Sequence, residues 1–373
     1  MRAVGKLLAF VLVLVFILVL PAAVLGYDIG SVIFDQPKIT AITTEIVTKS
    51  DLIPLGLNWY SETQAERRYA SGAAEAWVGE PDVVQLISFL DTDDWRAIRR
   101  EVLTDEILAK WTASTVDGVY KWLDSQEKVP QITWTMADFV QRIESKHGLT
   151  AITIAYNALP PCTDEQIADF KSRLAAAPAG EKVLYNLCRF PDPWKTDQFG
   201  DYQDALEAVA QSIPARFNLT AELAPVSDPD HGVGAEAIRN QLLAVRRIMI
   251  LAPIVVLFLL LLIAVLAVRS LRSLGFWWGI PLILGGLLVL AGGVVYRVVL
   301  TGVLSAGILS EVPPLIMKEA LKGILILAGH IFKPMVWQGI VVLASGILLL
   351  VAGSVRRKKP GTAHDEPEAG DVP

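Results

Sequence analysis

Four apolar blocks constrain the fold of this chain more than any other feature. They contain no Asp, Glu, Lys or Arg, and they cover 7–26, 248–268, 276–296 and 335–355. At about 1.5 Å per residue, a helix of about 20 residues crosses a hydrocarbon core of about 30 Å. A helix also satisfies its own backbone hydrogen bonds in lipid. The sequence therefore predicts four transmembrane helices.

Basic residues in the short segments beside these blocks predict their orientation. They cluster at three points: Arg2 with Lys6, Arg269 with Arg272, and Arg356, Arg357, Lys358 and Lys359. Short loops rich in Lys and Arg stay in the cytoplasm. We therefore expect a multi-pass protein of the cell (plasma) membrane, with both termini inside and residues 27–247 outside.

The first block has two interpretations. Residues 1–26 have a basic start, an apolar run and small residues such as Val24 and Gly26, a pattern also found in cleaved signal peptides. The apolar run continues for five residues beyond Pro21 and approaches the length of a span, which favours an uncleaved anchor. The following domain is exported in either case.

The predicted outer domain is acidic and mainly helical. Between residues 27 and 246 it has 33 acidic and 20 basic residues, a formal net charge of −13, which argues against nucleic acid as a partner. The charge could attract basic partners, but the acidic residues are scattered, which favours a solvated surface that keeps an exported domain soluble. Apolar residues recur every three or four positions from Asp94 to Leu123, a helical period. Segments around 132–136 and 217–223 alternate instead, and we expect them to pair as a small β-sheet. The predicted fold class is thus a mainly α membrane protein with four transmembrane helices and an α-rich extracytoplasmic domain.

The two cysteines, Cys162 and Cys188, are predicted to form a disulfide. Both lie in the exported domain, where the environment is oxidising, and the chain has no third cysteine to compete. Closing a loop of about 25 residues stabilises a fold by about 3 kcal/mol in the chain-entropy model. The alternative is a pair of buried free thiols.

The sequence contains no motif typical of an enzyme, and we assign no catalytic, cofactor-binding or metal-binding residues. Neither cysteine has a histidine beside it, and the histidines are not spaced as metal ligands. The acidic group Asp91, Asp93 and Asp94 is interpreted as a helix cap before Trp95 rather than a calcium loop. Tryptophans at helical spacing, such as Trp111, are interpreted as core residues rather than as a ligand groove.

Within the membrane, glycines on the third span predict close helix packing. They are Gly275, Gly279, Gly286 and Gly293. The alternative is that membrane helices simply tolerate glycine. Residues 298–334 are apolar but broken by charges and prolines, so we expect an interfacial helix or a re-entrant segment, with Pro314 able to start a helix. The tail at 356–373 is rich in Pro, Gly and acidic residues and is predicted to be disordered.

The order of one span, a large outer domain and three further spans resembles the permease subunits of lipoprotein-release and macrolide-export ABC transporters. In those permeases a charged coupling segment follows the second span, where this chain has only Arg269-Ser270-Leu271-Arg272-Ser273. The chain is also similar to uncharacterised bacterial membrane proteins that carry Leu-Pro-Pro-Cys-Thr and a later Leu-Cys-Arg in an exported helical domain. That second resemblance covers most of the chain and implies no activity.

These observations favour a non-enzymatic protein, anchored in the lipid bilayer, whose outer domain binds a ligand or an envelope protein partner, or assembles as a homo-oligomer. An alternative is a subunit of an envelope transport complex, which implies a separately encoded ATPase. A further alternative is a hydrolase of envelope lipid or glycan. That activity requires carboxylates that meet in the folded protein, which only the structure can show.

Overall fold

The structure is a computed structural model that describes residues 2–70, 87–178, 183, 186–223, 235–306 and 313–354. It is mainly helical, as predicted. The helices are α1 (Arg2–Ile33), α2 (Gln36–Lys49), α3 (Leu52–Ala70), α4 (Thr92–Val102), α5 (Asp105–Asp124), α6 (Ala137–Ile143), α7 (Lys146–Ala158), α8 (Asp164–Ala176), α9 (Trp194–Ser212), α10 (Leu219–Leu223), α11 (Ala235–Ala267), α12 (Leu271–Ala306) and α13 (Pro314–Ser354). Two strands, β1 (Thr133–Thr135) and β2 (Arg216–Asn218), complete the fold.

The chain divides into two compact units. The bundle unit contains α1 up to Asp28, α11 from Ile248, α12 up to Val295 and α13 from Phe332. The helical domain contains the elements from Ile29 to Arg247 together with the end of α12 and the start of α13.

Four helices of the described chain are long and apolar enough to cross a membrane, in agreement with the predicted number. They include Gly5–Ile33, Glu236–Ala267, Arg272–Leu304 and Pro314–Ser354. All four extend beyond the apolar blocks, because a helix continues into flanking polar sequence wherever no breaker stops it. The four helices are consistent with a multi-pass membrane protein.

Close packing of α12 against α13 runs along a row of glycines. A Cβ added at Gly279 would lie 3.0 Å from the Gly346 carbonyl oxygen, and one at Gly286 would lie 2.8 Å from the Leu343 nitrogen. Gly275 and Gly293 face α13 in the same way, next to Gly353 and Val336. The missing side chains let the two backbones approach each other.

The segment predicted to be interfacial or re-entrant, 298–334, has a different organisation in the structure. Its first part continues α12 to Ala306, and its last part belongs to α13, which starts at Pro314 and passes through Pro334 without ending. The start of α13 packs on α2, where a Cβ added at Gly323 would lie 2.9 Å from Ile46 Cγ2. Residues 307–312, the predicted tail at 356–373, and the topology residues Arg356 and Arg357 lie outside the described residues.

The predicted small sheet is confirmed, with corrected bounds. β1 and β2 pair antiparallel, with Trp134 opposite Phe217. The alternation predicted to continue to Leu223 ends at Asn218, because residues 219–223 form the short helix α10. The Asn218 side chain accepts a hydrogen bond from the Ala221 backbone at 3.2 Å, which starts this turn of helix.

Candidate functional site

A charged cleft lies in the helical domain where three helices begin. Its volume is about 350 Å³, and it is lined from the starts of α3, α4 and α13. The lining residues are Asp51, Leu55, Asp91, Thr92, Asp93, Arg96, Leu315, Lys318 and Glu319. Four carboxylates therefore share the cleft with two basic groups.

The start of α4 fixes the position of Asp91. The Asp91 side chain accepts hydrogen bonds from the backbone of Asp93 and Asp94, and the Asp94 side chain accepts one from the Asp91 backbone. This is a complete capping box, as the helix-cap interpretation predicted. Helix capping therefore places Asp91 and Asp93 at one rim of the cleft.

Arg96 connects two of the helices that line the cleft. Its Nε and Nη2 each donate to one oxygen of Asp51, both at 3.1 Å, and its Nη1 also pairs with Asp93. Hydrogen bonding to Asp51 is the main reason that the pKa of Arg96 is raised. Since the Asp51 and Asp93 side chains are 43% and 85% exposed, the pair orients the carboxylates but contributes little stability.

The two charged residues contributed by α13 differ in their partners. Glu319 is 14% exposed and forms an ion pair with Lys322 of the same helix. Lys318 is exposed and makes no hydrogen bond or ion pair with the part of the chain that the structure describes. Carboxylates thus outnumber basic groups by four to two among the residues that line the cleft.

The arrangement is suited to recognition of charge. Asp51 and Asp93 are open to solvent and held by Arg96, whereas a general acid needs a carboxyl group that burial or a like charge keeps protonated. No three His, Cys, Asp or Glu side chains come together as metal ligands in the residues that the structure describes. Binding of a charged group is the chemistry that these side chains support.

The predicted disulfide is present, and it lies outside the cleft. Cys162 and Cys188 are bonded, and Cys188 is fully buried beside Phe170 and Phe190. The Gln198 side chain makes hydrogen bonds to the backbone on both sides of Cys188, and its amide donates to the Cys188 carbonyl at 2.8 Å. The disulfide thus ties the start of α8 to the segment before α9.

Gln198 also belongs to a buried polar network on α7 and α9. The Tyr156 hydroxyl donates to Gln198 Oε1 at 3.1 Å, and the Tyr202 ring meets the Tyr156 ring edge-on with centroids 6.1 Å apart. Burial raises the pKa of Tyr202 to about 12, and it raises the pKa of Tyr156 as well. These polar groups make their hydrogen bonds inside the domain, so we assign them a role in its folding.

Aromatic side chains form a cluster beside the small sheet. The rings of Trp111 and Trp134 stack with centroids 4.9 Å apart, and Phe139 meets Trp111 edge-on. The Trp111 indole donates to the Thr135 carbonyl at 3.0 Å. Trp111, Trp134 and Phe139 are each half-buried, so this cluster is only partly enclosed. Trp59, by contrast, is 49% exposed on α3.

Sequence reasoning missed one buried carboxylate in the bundle unit. The apolar blocks suggested spans without ionisable residues, but Asp28 lies within the candidate span Gly5–Ile33 and is 1% exposed. The Gln338 amide of α13 donates to Asp28 Oδ1 at 2.7 Å. The sequence could have indicated this position, because no helix-breaking residue lies between Gly26 and Asp28 and the first helix is therefore free to continue. Of the other predicted topology residues, Arg269 and Arg272 lie exposed where α11 ends and α12 begins.

The fold and the cleft define a class: a mainly helical protein with four helices able to span a membrane and a helical domain with a charged cleft. Comparison with known proteins found no match to a family model, a curated protein or a solved structure. The function is therefore argued from the cleft.

Proposed function

We propose that this chain is a membrane-anchored binding protein whose helical domain lies outside the cytoplasm and binds a basic ligand or partner in the charged cleft. The observation that carries the proposal is the composition of the cleft, with four carboxylates and two basic groups on three helices. The net negative charge of residues 27–246 attracts the same partners over a longer range.

The proposed location of the domain rests on two observations. The turn between α11 and α12 carries Arg269 and Arg272, which favours a cytoplasmic position for that turn. The disulfide between Cys162 and Cys188 is typical of an oxidising compartment. Together they support export of the domain through the plasma membrane.

Packing of α1 favours its retention as an anchor. Phe16 is fully buried, and Val13 and Leu20 are also buried in the cluster that contains Ile263 of α11 and Val289 of α12. Loss of α1 by cleavage would expose these apolar surfaces. The packing of α1 in the bundle therefore favours an uncleaved first helix.

The charges of the cleft predict which ligand chemistry is preferred. An ammonium or guanidinium group finds Asp91 and Asp93 at the start of α4, and these carboxylates accept charge-assisted hydrogen bonds. Lys318 opposes a second cation in the same cleft. A basic peptide should therefore bind more tightly when Lys318 is neutralised and less tightly when Asp91 is neutralised.

The test is binding of fluorescent lysine-rich and glutamate-rich peptides to the full chain in nanodiscs. We expect the lysine-rich peptide alone to bind, with an affinity that falls as salt screens the charges. Asp91→Asn should weaken binding about two- to fivefold, since asparagine still caps α4. Lys318→Gln should strengthen binding by a similar factor.

The matched control is Asp164→Asn, which removes the same charge at the exposed start of α8, outside the cleft. We expect it to leave the affinity unchanged. Equal binding of both peptides, or equal effects of Asp91→Asn and Asp164→Asn, would contradict the assignment of the cleft.

A further inference from the structure

A short sequence motif in the helical domain joins the end of β2 to the start of α10. Asn218, Leu219 and Thr220 form Asn-x-Thr, in which a hydroxyl residue follows an asparagine at the second position and no proline stands between them. It is the one Asn-x-Ser or Asn-x-Thr in the sequence. In exported proteins this spacing is the acceptor of N-linked glycans. The motif therefore directs attention to the Asn218 side chain and its surroundings.

Asn218 is exposed, and the two polar atoms of its side chain have different roles. Its Oδ1 accepts a hydrogen bond from the Ala221 backbone at 3.2 Å, which caps α10. Among the residues that the structure describes, none accepts a hydrogen bond from Asn218 Nδ2. An N-linked glycan replaces one hydrogen of Nδ2 and leaves Oδ1 as an acceptor. The folded domain can therefore carry a glycan at this position without losing the cap.

The other asparagines of the chain lack one of these features. The Nδ2 of Asn186 donates to a backbone carbonyl of α8 at 3.1 Å, and the Nδ2 of Asn58 donates to a glutamate of α3 at 2.9 Å. Asn157 and Asn240 are exposed, but a leucine stands two positions after each of them. Within the described part of the chain, Asn218 thus combines an exposed amide nitrogen with a hydroxyl residue at the required spacing.

We propose that Asn218 is N-glycosylated, which rests on the proposed location of the helical domain outside the cytoplasm. The donor is an oligosaccharide joined through its anomeric carbon to a polyprenyl pyrophosphate. Asn218 Nδ2 attacks the anomeric carbon, so that a carbon–nitrogen bond forms and the carbon–oxygen bond to the pyrophosphate breaks. The nitrogen loses one proton to a base of the transferase, and the pyrophosphate leaves with the bonding electrons. Nothing is oxidised or reduced in this transfer.

The contacts of Thr220 indicate when the transfer takes place. In the folded domain the Thr220 hydroxyl donates to the Pro130 carbonyl and accepts from the Ile132 backbone at 3.0 Å. That hydroxyl is part of the motif that a transferase recognises, and the segment before β1 holds it in the fold. The transfer therefore precedes the docking of this segment. Folding then leaves the modified side chain at the surface, where a bulky hydrophilic group is accommodated.

The first test is mass spectrometry of proteolytic peptides from the full chain, purified from the membranes of the organism that produces it. The peptide that contains Asn218 should carry the added mass of sugars and release sugar fragment ions. Thr220→Ser keeps the hydroxyl and should keep the glycan, whereas Thr220→Ala should abolish it although Asn218 is unchanged. An unmodified Asn218 in the parent protein, or a glycan that persists in Thr220→Ala, overturns the proposal.

A second variant removes the acceptor nitrogen without removing the helix cap. Asn218→Asp keeps a side-chain oxygen that can cap α10, and it should lose the whole gel-mobility shift that the glycan gives the parent protein. The matched control is Asn157→Asp, which makes the same exchange at an exposed position outside the motif and should keep the full shift. Equal migration of the two variants overturns the proposal.

Failure of this proposal can be distinguished from failure of the proposed location. Labelling of Gln126→Cys by a membrane-impermeant maleimide in the same intact cells reports the location alone, since Gln126 is exposed and lies outside the motif. Labelling together with an unmodified Asn218 overturns the glycosylation and leaves the outer location in place. Absence of labelling together with an unmodified Asn218 overturns both.

Discussion

Replacing both Cys162 and Cys188 with serine should lower the free energy of unfolding of the helical domain by about 3 kcal/mol. The bond joins residues 26 apart, so its loss returns conformational freedom to the unfolded chain. Cys188 is also fully buried beside Phe170 and Phe190, and serine would place a hydroxyl there. Denaturant unfolding of the chain in detergent, followed by tryptophan fluorescence, measures the change.

The matched control for this pair is Ser172→Ala, at an exposed position on α8. It should change the free energy of unfolding by less than about 0.5 kcal/mol. Reduction of the unmodified protein should reproduce most of the effect of the double variant. A double variant that unfolds at the same denaturant concentration as the unmodified protein would show that the disulfide does not constrain this domain.

Gly346→Ala should destabilise the bundle unit by about 2 kcal/mol. The added Cβ would lie 2.8 Å from the Gly279 carbonyl oxygen and 2.8 Å from the Ile283 nitrogen. Both are backbone atoms, so relief requires that α12 and α13 move apart along the glycine row. Reversible unfolding in mixed micelles with increasing sodium dodecyl sulfate gives the free energy.

Gly26→Ala is the control within the same unit, since its added Cβ would make only an ordinary contact at 3.7 Å with Ile248. We expect this variant to unfold at the same proportion of sodium dodecyl sulfate as the unmodified protein, or at a slightly higher one. The reason is that alanine favours a helix more than glycine does. If both alanine variants had the same effect, the close approach at Gly346 would not stabilise the bundle.

Local patterns in the sequence were sufficient to predict much of the fold. Four uncharged blocks predicted the four long helices, and alternation around Trp134 and Phe217 predicted the sheet. The pair Cys162 and Cys188 predicted the disulfide. Each of these signals depends on one short segment or on a residue type with few possible partners, so no knowledge of the tertiary structure was needed.

Helix ends were harder to predict, because hydropathy marks where lipid can lie and not where a helix stops. The helices extend into the segment 298–334 for this reason: α12 continues to Ala306, and Lys333 and Pro334 lie inside α13. Asp28 was missed in the same way, since α1 extends to Ile33.

The cleft could not be predicted from the sequence. Asp51 precedes α3, Arg96 lies on α4 and Lys318 lies on α13, and only tertiary packing brings them to one cavity. The sequence did predict that Asp91 and Asp93 cap a helix, but a cap is a common local structure with no bearing on ligands. The spacing of charged residues along the chain does not indicate which of them meet in the folded domain.

Accessibility of single cysteines in intact cells tests the central claim most directly, which is that the helical domain lies outside the cytoplasm. Gln126→Cys places a thiol on an exposed loop after α5, and Ser270→Cys places one in the turn between α11 and α12. The account predicts that a membrane-impermeant maleimide labels Gln126→Cys in intact cells and labels Ser270→Cys only after permeabilisation. The reverse pattern would place the cleft in the cytoplasm and contradict the account.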